Sequence, residues 1–364
     1  MTPQVHTFRL TIMYRLLFVA GSLLLGPRLG ITQQQAAPKT TELPKPFETI
    51  QDAKQFNAAR FGPGNTISFV ETPPDFHLYA FAISPDGSLL AMGWGSGRIE
   101  LWDLQSKKRV SEFKSEAGAP GVLEFDKTGK QLIVTGSGGK LAILDLPKGR
   151  KLRSWTVPLG KYKYDLHEIV LDPNGKWLAY ADEESSKVLD IGADPPNQVV
   201  DLKDAHSLAL SRDGRTLWTV NRNELAGFNT ETWEVMGRWP LKSSQIPTSL
   251  AVVRAGVTSD GQNTIAVPSA KGLIFYRPPN MEGTYATDKP TSAVAFIYGR
   301  NIFVNFSGAL TFLSDNGMAL CEKSYKHRVD YAISGDGQWL AISEFNGVDL
   351  WRVEDLLRDC GPGQ

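Results

Sequence analysis

The sequence predicts an all-β fold, a seven-bladed β-propeller of four-stranded sheets whose ring is closed by an N-terminal strand pairing with the last blade. Three observations predict it. A tight turn recurs as Ser84-Pro85-Asp86-Gly87, Asp126-Lys127-Thr128-Gly129, Asp172-Pro173-Asn174-Gly175, Ser211-Arg212-Asp213-Gly214, Ser259-Asp260-Gly261, a degenerate Tyr298-Gly299-Arg300 and Ser334-Gly335-Asp336-Gly337. Each copy lies between two short apolar runs, and a Gly/Ser/Asn turn then leads to a third, which is the pattern of a strand meander. The turn glycines stand 38 to 47 residues apart, near the period of about 40–45 residues of propeller blades. Length alone allows about two or three domains, but seven repeats occupy nearly everything after residue 65, so one ring is expected, each blade burying its faces against its neighbours.

Before the ring, residues 1–37 contain Arg9, Arg15 and Arg28 but no Asp or Glu, and residues 16–25 form an apolar run. This is the profile of a signal peptide, expected over residues 1–36, with Gly26, Gly30 and Ala36 competing near the cleavage point. As a helix, such a run spans about 15 Å, short of the roughly 30 Å hydrocarbon core, and Pro27 and Arg28 end it. The expectation is an exported protein, periplasmic or extracellular, without a transmembrane span in the mature chain. Residues 37–64 read as a flexible tether with a possible short helix over 51–60. Residues 66–71, Thr-Ile-Ser-Phe-Val-Glu, then alternate as an edge strand does.

The propeller is expected over residues 65–358, with fourth strands near 110–114, 153–157, 198–202, 235–241, 283–287 and 321–325. The last blade supplies only three strands, at 331–333, 339–343 and 348–353, and the tail 359–364 does not resemble a fourth. The strand at 66–71 is therefore expected to complete it and close the circle, removing open edges.

Ser84-Pro85-Asp86-Gly87-Ser88-Leu89-Leu90-Ala91 followed by Ile99-Glu100-Leu101-Trp102-Asp103, with Val348-Asp349-Leu350-Trp351-Arg352 in the last blade, resembles the WD-repeat (WD40-like) propellers. The resemblance covers about 290 residues and is degenerate. Leu144-Asp145, Leu189-Asp190, Phe228-Asn229, Tyr276-Arg277 and Leu313-Ser314 stand in place of Trp-Asp, and the family's Gly-His pair and its Asp between the second and third strands are missing. Its buried Asp-His-Ser/Thr-Trp network therefore cannot form, and the blades are left to hold by packing. The resemblance implies an interaction platform, a non-catalytic scaffold for another protein or an envelope component.

Composition limits the partners. Lys plus Arg and Asp plus Glu both number 39, so no global field draws nucleic acid. Local basic clusters, Lys107-Lys108-Arg109 and Lys148 with Arg150, Lys151 and Arg153, fall where a third strand turns into a fourth and read as solvated turns. Cys321 and Cys360 are a disulfide candidate in an exported chain, tying the tail to the sixth blade, or else two free thiols. No cofactor is expected: the glycine runs 93–97 and 136–139 are hairpin turns that open no helix, and no Cys-x-x-Cys-His haem site occurs.

The residues with chemistry to offer lie at the starts of inner strands. His167 and His206 stand five residues before the turn landmarks Asp172 and Ser211, with Asp165 and Asp204 two residues earlier; His77 and His327 stand seven before Ser84 and Ser334. Alternation places all six on one side of their strands, near the starts, where the resemblance implies the entrance of the central channel. Such a ring offers metal ligands or acid/base groups, the basis of an alternative reading as a metal-assisted hydrolase or lactonase. The plain alternative is that polar residues finish each inner strand and cap the seams. Trp177, Trp218 and Trp339 read as core, while Trp155, Trp233 and Trp239, in or beside outer strands, are candidates for an interface. Asp182, Glu183 and Glu184 read as a solvated turn, with calcium as a second possibility, and Asn305-Phe306-Ser307 fits a glycosylation sequon.

Overall fold

The structure is a computed structural model. It describes residues 40–42, 59–61, 67–69 and 78–360, apart from 162–165, 183, 204, 212, 222, 242–255, 258–263, 270, 278–279, 290, 292, 307, 326–330 and 345–346.

The turn chemistry fixes the meander. In blade 1 the buried Ser84 donates from Oγ to Asp86 Oδ1 at 2.6 Å and accepts the Leu89 amide at 2.9 Å. Ser211 does the same with Asp213 and Thr216 at 2.6 and 2.9 Å. Where Asp126 replaces serine, its carboxylate takes the amides of Lys130 and Gln131 directly at 2.9 and 2.8 Å. The closing residue of the first turn, Gly87, has φ 68°, which glycine occupies without a Cβ penalty.

Seven sheets result. Blade 1 is Leu78–Ile83, Leu89–Trp94, Arg98–Asp103 and Lys108–Lys114, each strand antiparallel to the next. Blades 2 to 6 repeat this order, ending in the outer strands Arg150–Thr156, Asn197–Lys203, Val235–Pro240, Thr284–Tyr285 and Ala319–Ser324. Blade 7 has Tyr331–Ile333, Trp339–Glu344 and Gly347–Arg352. The first strands adjoin one another in sequence order, and Tyr331–Ile333 of blade 7 lies beside Leu78–Ile83 of blade 1, so the ring is closed at its centre.

Middle strands such as Thr216–Val220 are buried throughout, whereas outer strands such as Arg150–Thr156 are exposed in their first half. The apolar side chains gather into seven clusters, one for each seam between neighbouring blades. Stability is therefore a nearest-neighbour property of blade against blade. Trp177, Trp218 and Trp339 lie within these clusters, as the sequence predicts.

The chain ends depart from expectation. Ile67–Phe69 is paired antiparallel with Ala59–Phe61. It comes alongside Gly347–Arg352, but the closing ladder expected with blade 7 is not among the described pairings. The short helix expected over 51–60 gives way at its end to Ala59–Phe61; residues 51–58 lie outside the described residues. Within the expected tether, Thr40–Glu42 forms a strand parallel to the outer strand of blade 6, Thr40 opposite Glu322 and Glu42 opposite Ser324.

At the other end, Val353–Leu357 is a helix with Val353 and Leu356 buried, and a disulfide joins Cys321 to Cys360 with Cα atoms 5.2 Å apart. Lys323, whose side chain is fully buried, meets Asp359 of the tail at 3.6 Å. The reason is visible in blade 7: its third strand carries buried Trp351 and has no described fourth strand beside it, and the helix packs into the same cluster.

Candidate functional site

Inner strands present their side chains to a central cavity of about 410 Å³, within the range of small-molecule sites of about 300–1,000 Å³. Apolar side chains line it from five blades, among them Phe81, Ile83, Phe125, Leu171, Leu210 and Phe296, on a wall whose exposed surface is about half polar. Polarity enters through Glu124, His167, Glu168, Tyr298 and Tyr331. Tyr331 donates its hydroxyl to the Val294 carbonyl of blade 6.

Of the six residues expected at the channel mouth, His77, Asp165, Asp204 and His327 lie outside the described residues. His167 and His206 are brought together, but as a seam. His167 Nε2–H donates to the His206 carbonyl at 3.0 Å, crossing from blade 3 to blade 4. That bond sets the tautomer, since a carbonyl accepts only a protonated nitrogen, and it leaves His167 Nδ1 buried without a partner. The backbones on both sides are anchored too, His167 N to the Ala181 carbonyl at 3.1 Å and His206 N to the Val220 carbonyl at 2.8 Å. Among the described residues no group of three His, Cys, Asp or Glu side chains is placed to hold a metal ion.

Sequence reasoning missed the neighbouring Glu168. It is buried and accepts the Leu208 amide at 3.1 Å, a second bond across the same seam. Nothing in its sequence context distinguishes it from a surface carboxylate, because its burial depends on the next blade.

Asp182 corrects an expectation outright. Read as part of a solvated turn, it is fully buried and accepts the amides of Gly160, Glu184 and Ser185 at 2.8, 2.7 and 2.6 Å and the Ser185 hydroxyl at 2.9 Å. Four donors occupy its two oxygens, so the carboxylate is a hairpin staple tying blade 3 to the segment that follows blade 2. Nearby Tyr180 donates to the Pro158 carbonyl at 3.1 Å, and burial, reinforced by Asp182 and Asp201, pushes its hydroxyl pKa far above the usual phenol value. Asn305 is also corrected: it is fully buried in a middle strand of blade 6, where no glycan can be accommodated on the folded chain.

The tryptophans proposed for an interface are half-buried and pack inward. Trp155 lies against the seam of blades 2 and 3 with the Arg153 guanidinium 4.8 Å from its ring centre. Trp233 meets Trp177 edge-on at 5.0 Å, and Trp239 lies 5.9 Å from Trp218. The basic clusters are largely engaged. Arg109 bridges Glu100 and Glu112, Lys151 pairs with Glu116, Arg150 with Asp145, and Arg153 donates to the carbonyls of Ile191 and Ala193 in blade 3.

Repeat, turn chemistry and ring together define a seven-bladed β-propeller. The solved β-propeller domain of Cps50 (Swd1) from Myceliophteria thermophila is similar in fold, with a TM-score of 0.62 at 16% identity over 78% of this chain and 99% of that one. A stretch of 115 residues, 31% of the chain, is 24% identical to the periodic tryptophan protein 2 homolog of Dictyostelium discoideum, and the match spans 12% of that protein's length. No family model matches the chain.

Proposed function

We propose that this protein is an exported, non-catalytic propeller that serves as a scaffold for another protein or an envelope component. The observation that carries the reading is the seam between blades 3 and 4. His167 Nε2 is spent on the backbone of the next blade, and the neighbouring Glu168 is spent the same way. His167 and Glu168 thus hold blade 3 to blade 4. Export is supported by the arginine-flanked apolar run of residues 9–28 and by a disulfide, a bond that persists in oxidising compartments.

One observation favours the second reading, a metal-assisted hydrolase: the unpartnered Nδ1 of His167 at the edge of the cavity. Elemental mass spectrometry on the purified protein, beside a His167→Ala/His206→Ala variant, separates the two. The scaffold reading expects no stoichiometric metal in either protein. Near-stoichiometric metal in the wild type that disappears in the variant transfers the function to the hydrolase. Export is tested by N-terminal sequencing of protein recovered outside the cytoplasm; an intact Met1 there overturns the cleaved signal.

A further inference from the structure

Five of the outer strands share a feature that the repeat does not announce. Each carries an extra residue relative to the third strand, a β-bulge, at Val110, Leu152, Val199, Met236 or Leu320, and the strand of blade 3 has a second, buried one at Leu202. All five are apolar. In blades 1 to 4 they face solvent, 46%, 40%, 43% and 58% exposed, and Val235 beside Met236 adds a further 45% exposed side chain. A bulge re-aims a side chain; a single exposed hydrophobe is ordinary, and it is the recurrence at one position in four successive blades that asks for an account. Blade 6 provides the contrast: Leu320 is partly buried and packs against the cluster containing Val353 and Leu356 of the chain's own C-terminal helix. The position is therefore one that this fold does cover.

Charge around the rim indicates the cover. Residues 103–116 and 145–156, the third-to-fourth turns and outer strands of blades 1 and 2, hold eight basic and four acidic side chains. The matching segments of blades 3 and 4, residues 190–203 and 229–241, hold two basic and five acidic. The sign thus reverses between blade 2 and blade 3, with an exposed apolar bulge on either side of the boundary. Blades 1 and 2 also form one stiff surface. Ser111 donates to the Pro147 carbonyl at 2.7 Å, and Gly149, at φ 66°, lies so close to the Phe113 ring that an added Cβ would be 2.2 Å from it.

We propose that this rim is a self-association surface, on which a second copy of the chain docks with its blade 3 against blade 2 and its blade 2 against blade 3. The charge pattern selects the symmetry. A twofold axis parallel to the ring axis pairs basic with acidic edges in both directions, as an isologous interface requires. A twofold tangential to the rim would set blade 2 on blade 2, basic against basic. In the selected arrangement Leu152 and Val199 form the apolar centre. Lys148 and Asp194, both exposed and both in the corresponding third-to-fourth turns, are brought to face each other twice. This inference does not depend on the scaffold reading.

The experiment is sedimentation velocity of the full chain over about 1–200 µM. One convex rim on another buries less than the ~1,200 Å² of standard complexes, so a weak, concentration-dependent dimer is expected. Leu152→Asp abolishes it while leaving the thermal transition of the dilute protein unchanged, which shows that the variant folds. Lys148→Glu or Asp194→Lys alone weakens the dimer by about two- to thirtyfold, because symmetry counts each surface pair twice, and the double exchange restores it. A monomer at every concentration overturns the proposal and leaves the rim to a partner of another sequence. A dimer indifferent to Leu152→Asp places self-association elsewhere and overturns it equally.

Discussion

The outer strand of blade 6 and those of blades 1 to 4 share a backbone plan and differ in what lies over them. Ala319–Ser324 has Thr40–Glu42 along its edge, the tail bonded to it through Cys321, and Lys323 enclosed beside Asp359. The outer strands of blades 1 to 4 end their described sheets, and a bulge residue on each, Val110, Leu152, Val199 or Met236, faces solvent. One strand type therefore tolerates two fates. Which of them occurs is decided by segments distant in sequence, the chain ends at blade 6 and, by our inference, another copy at blades 2 and 3.

Breaking the clasp has the largest expected effect. In the chain-entropy model, removing a disulfide that spans 39 residues costs about 3–4 kcal/mol. Urea unfolding of the Cys321→Ser/Cys360→Ser variant is expected to show that loss, and an unchanged midpoint would mean that the tail holds without the bond.

Next comes a matched pair of truncations. Leu356, fully buried in the seam of blades 6 and 7, is expected to lose about 2–3 kcal/mol on Leu356→Ala. Leu152→Ala on the bare rim, measured on dilute monomer, is expected to stay within about 0.5 kcal/mol of wild type. Equal losses at both sites would erase the distinction between the regions.

The smallest effect tests the turn chemistry that both regions share. The Ser84 hydroxyl holds the Asp86 carboxyl below its usual 3.8, against the upward pull of partial burial. A lowered folded value means that the turn's contribution is complete above the ordinary Asp value and is lost as pH falls through the lowered one. Ser84→Ala is expected to cost about 1–2 kcal/mol near neutral pH by orphaning the Leu89 amide. It should also flatten the acid limb of the stability profile below about pH 4. A variant with an unaltered acid limb would detach Asp86 from the hydroxyl.

Much of this was legible beforehand for a physical reason. Turn glycines, landmark serines and alternating apolar runs are local signals, and each of the described turns closes through bonds spanning at most five residues. Local reasoning also placed Trp177, Trp218 and Trp339 in the core. It failed where a contact crosses between blades. Glu168 and Arg153 read as surface charges because their partners lie 40 and 38 residues away, and Asp182, although it bonds to nearby Glu184 and Ser185, also holds Gly160, 22 residues before it. The bulges were equally hidden, since an extra residue in an edge strand leaves the apolar pattern of the sheet intact.

The sequence by itself determined the number of blades, the turns that bound their strands and the near-neutral charge, because these follow from composition and from interactions within one repeat. Only the tertiary structure decided that the histidine pair is a seam, that the chain ends converge on blade 6 and that a row of apolar bulges is left on the rim. Those outcomes depend on which blade stands next to which, and neighbours 40 residues apart meet only once the ring has closed.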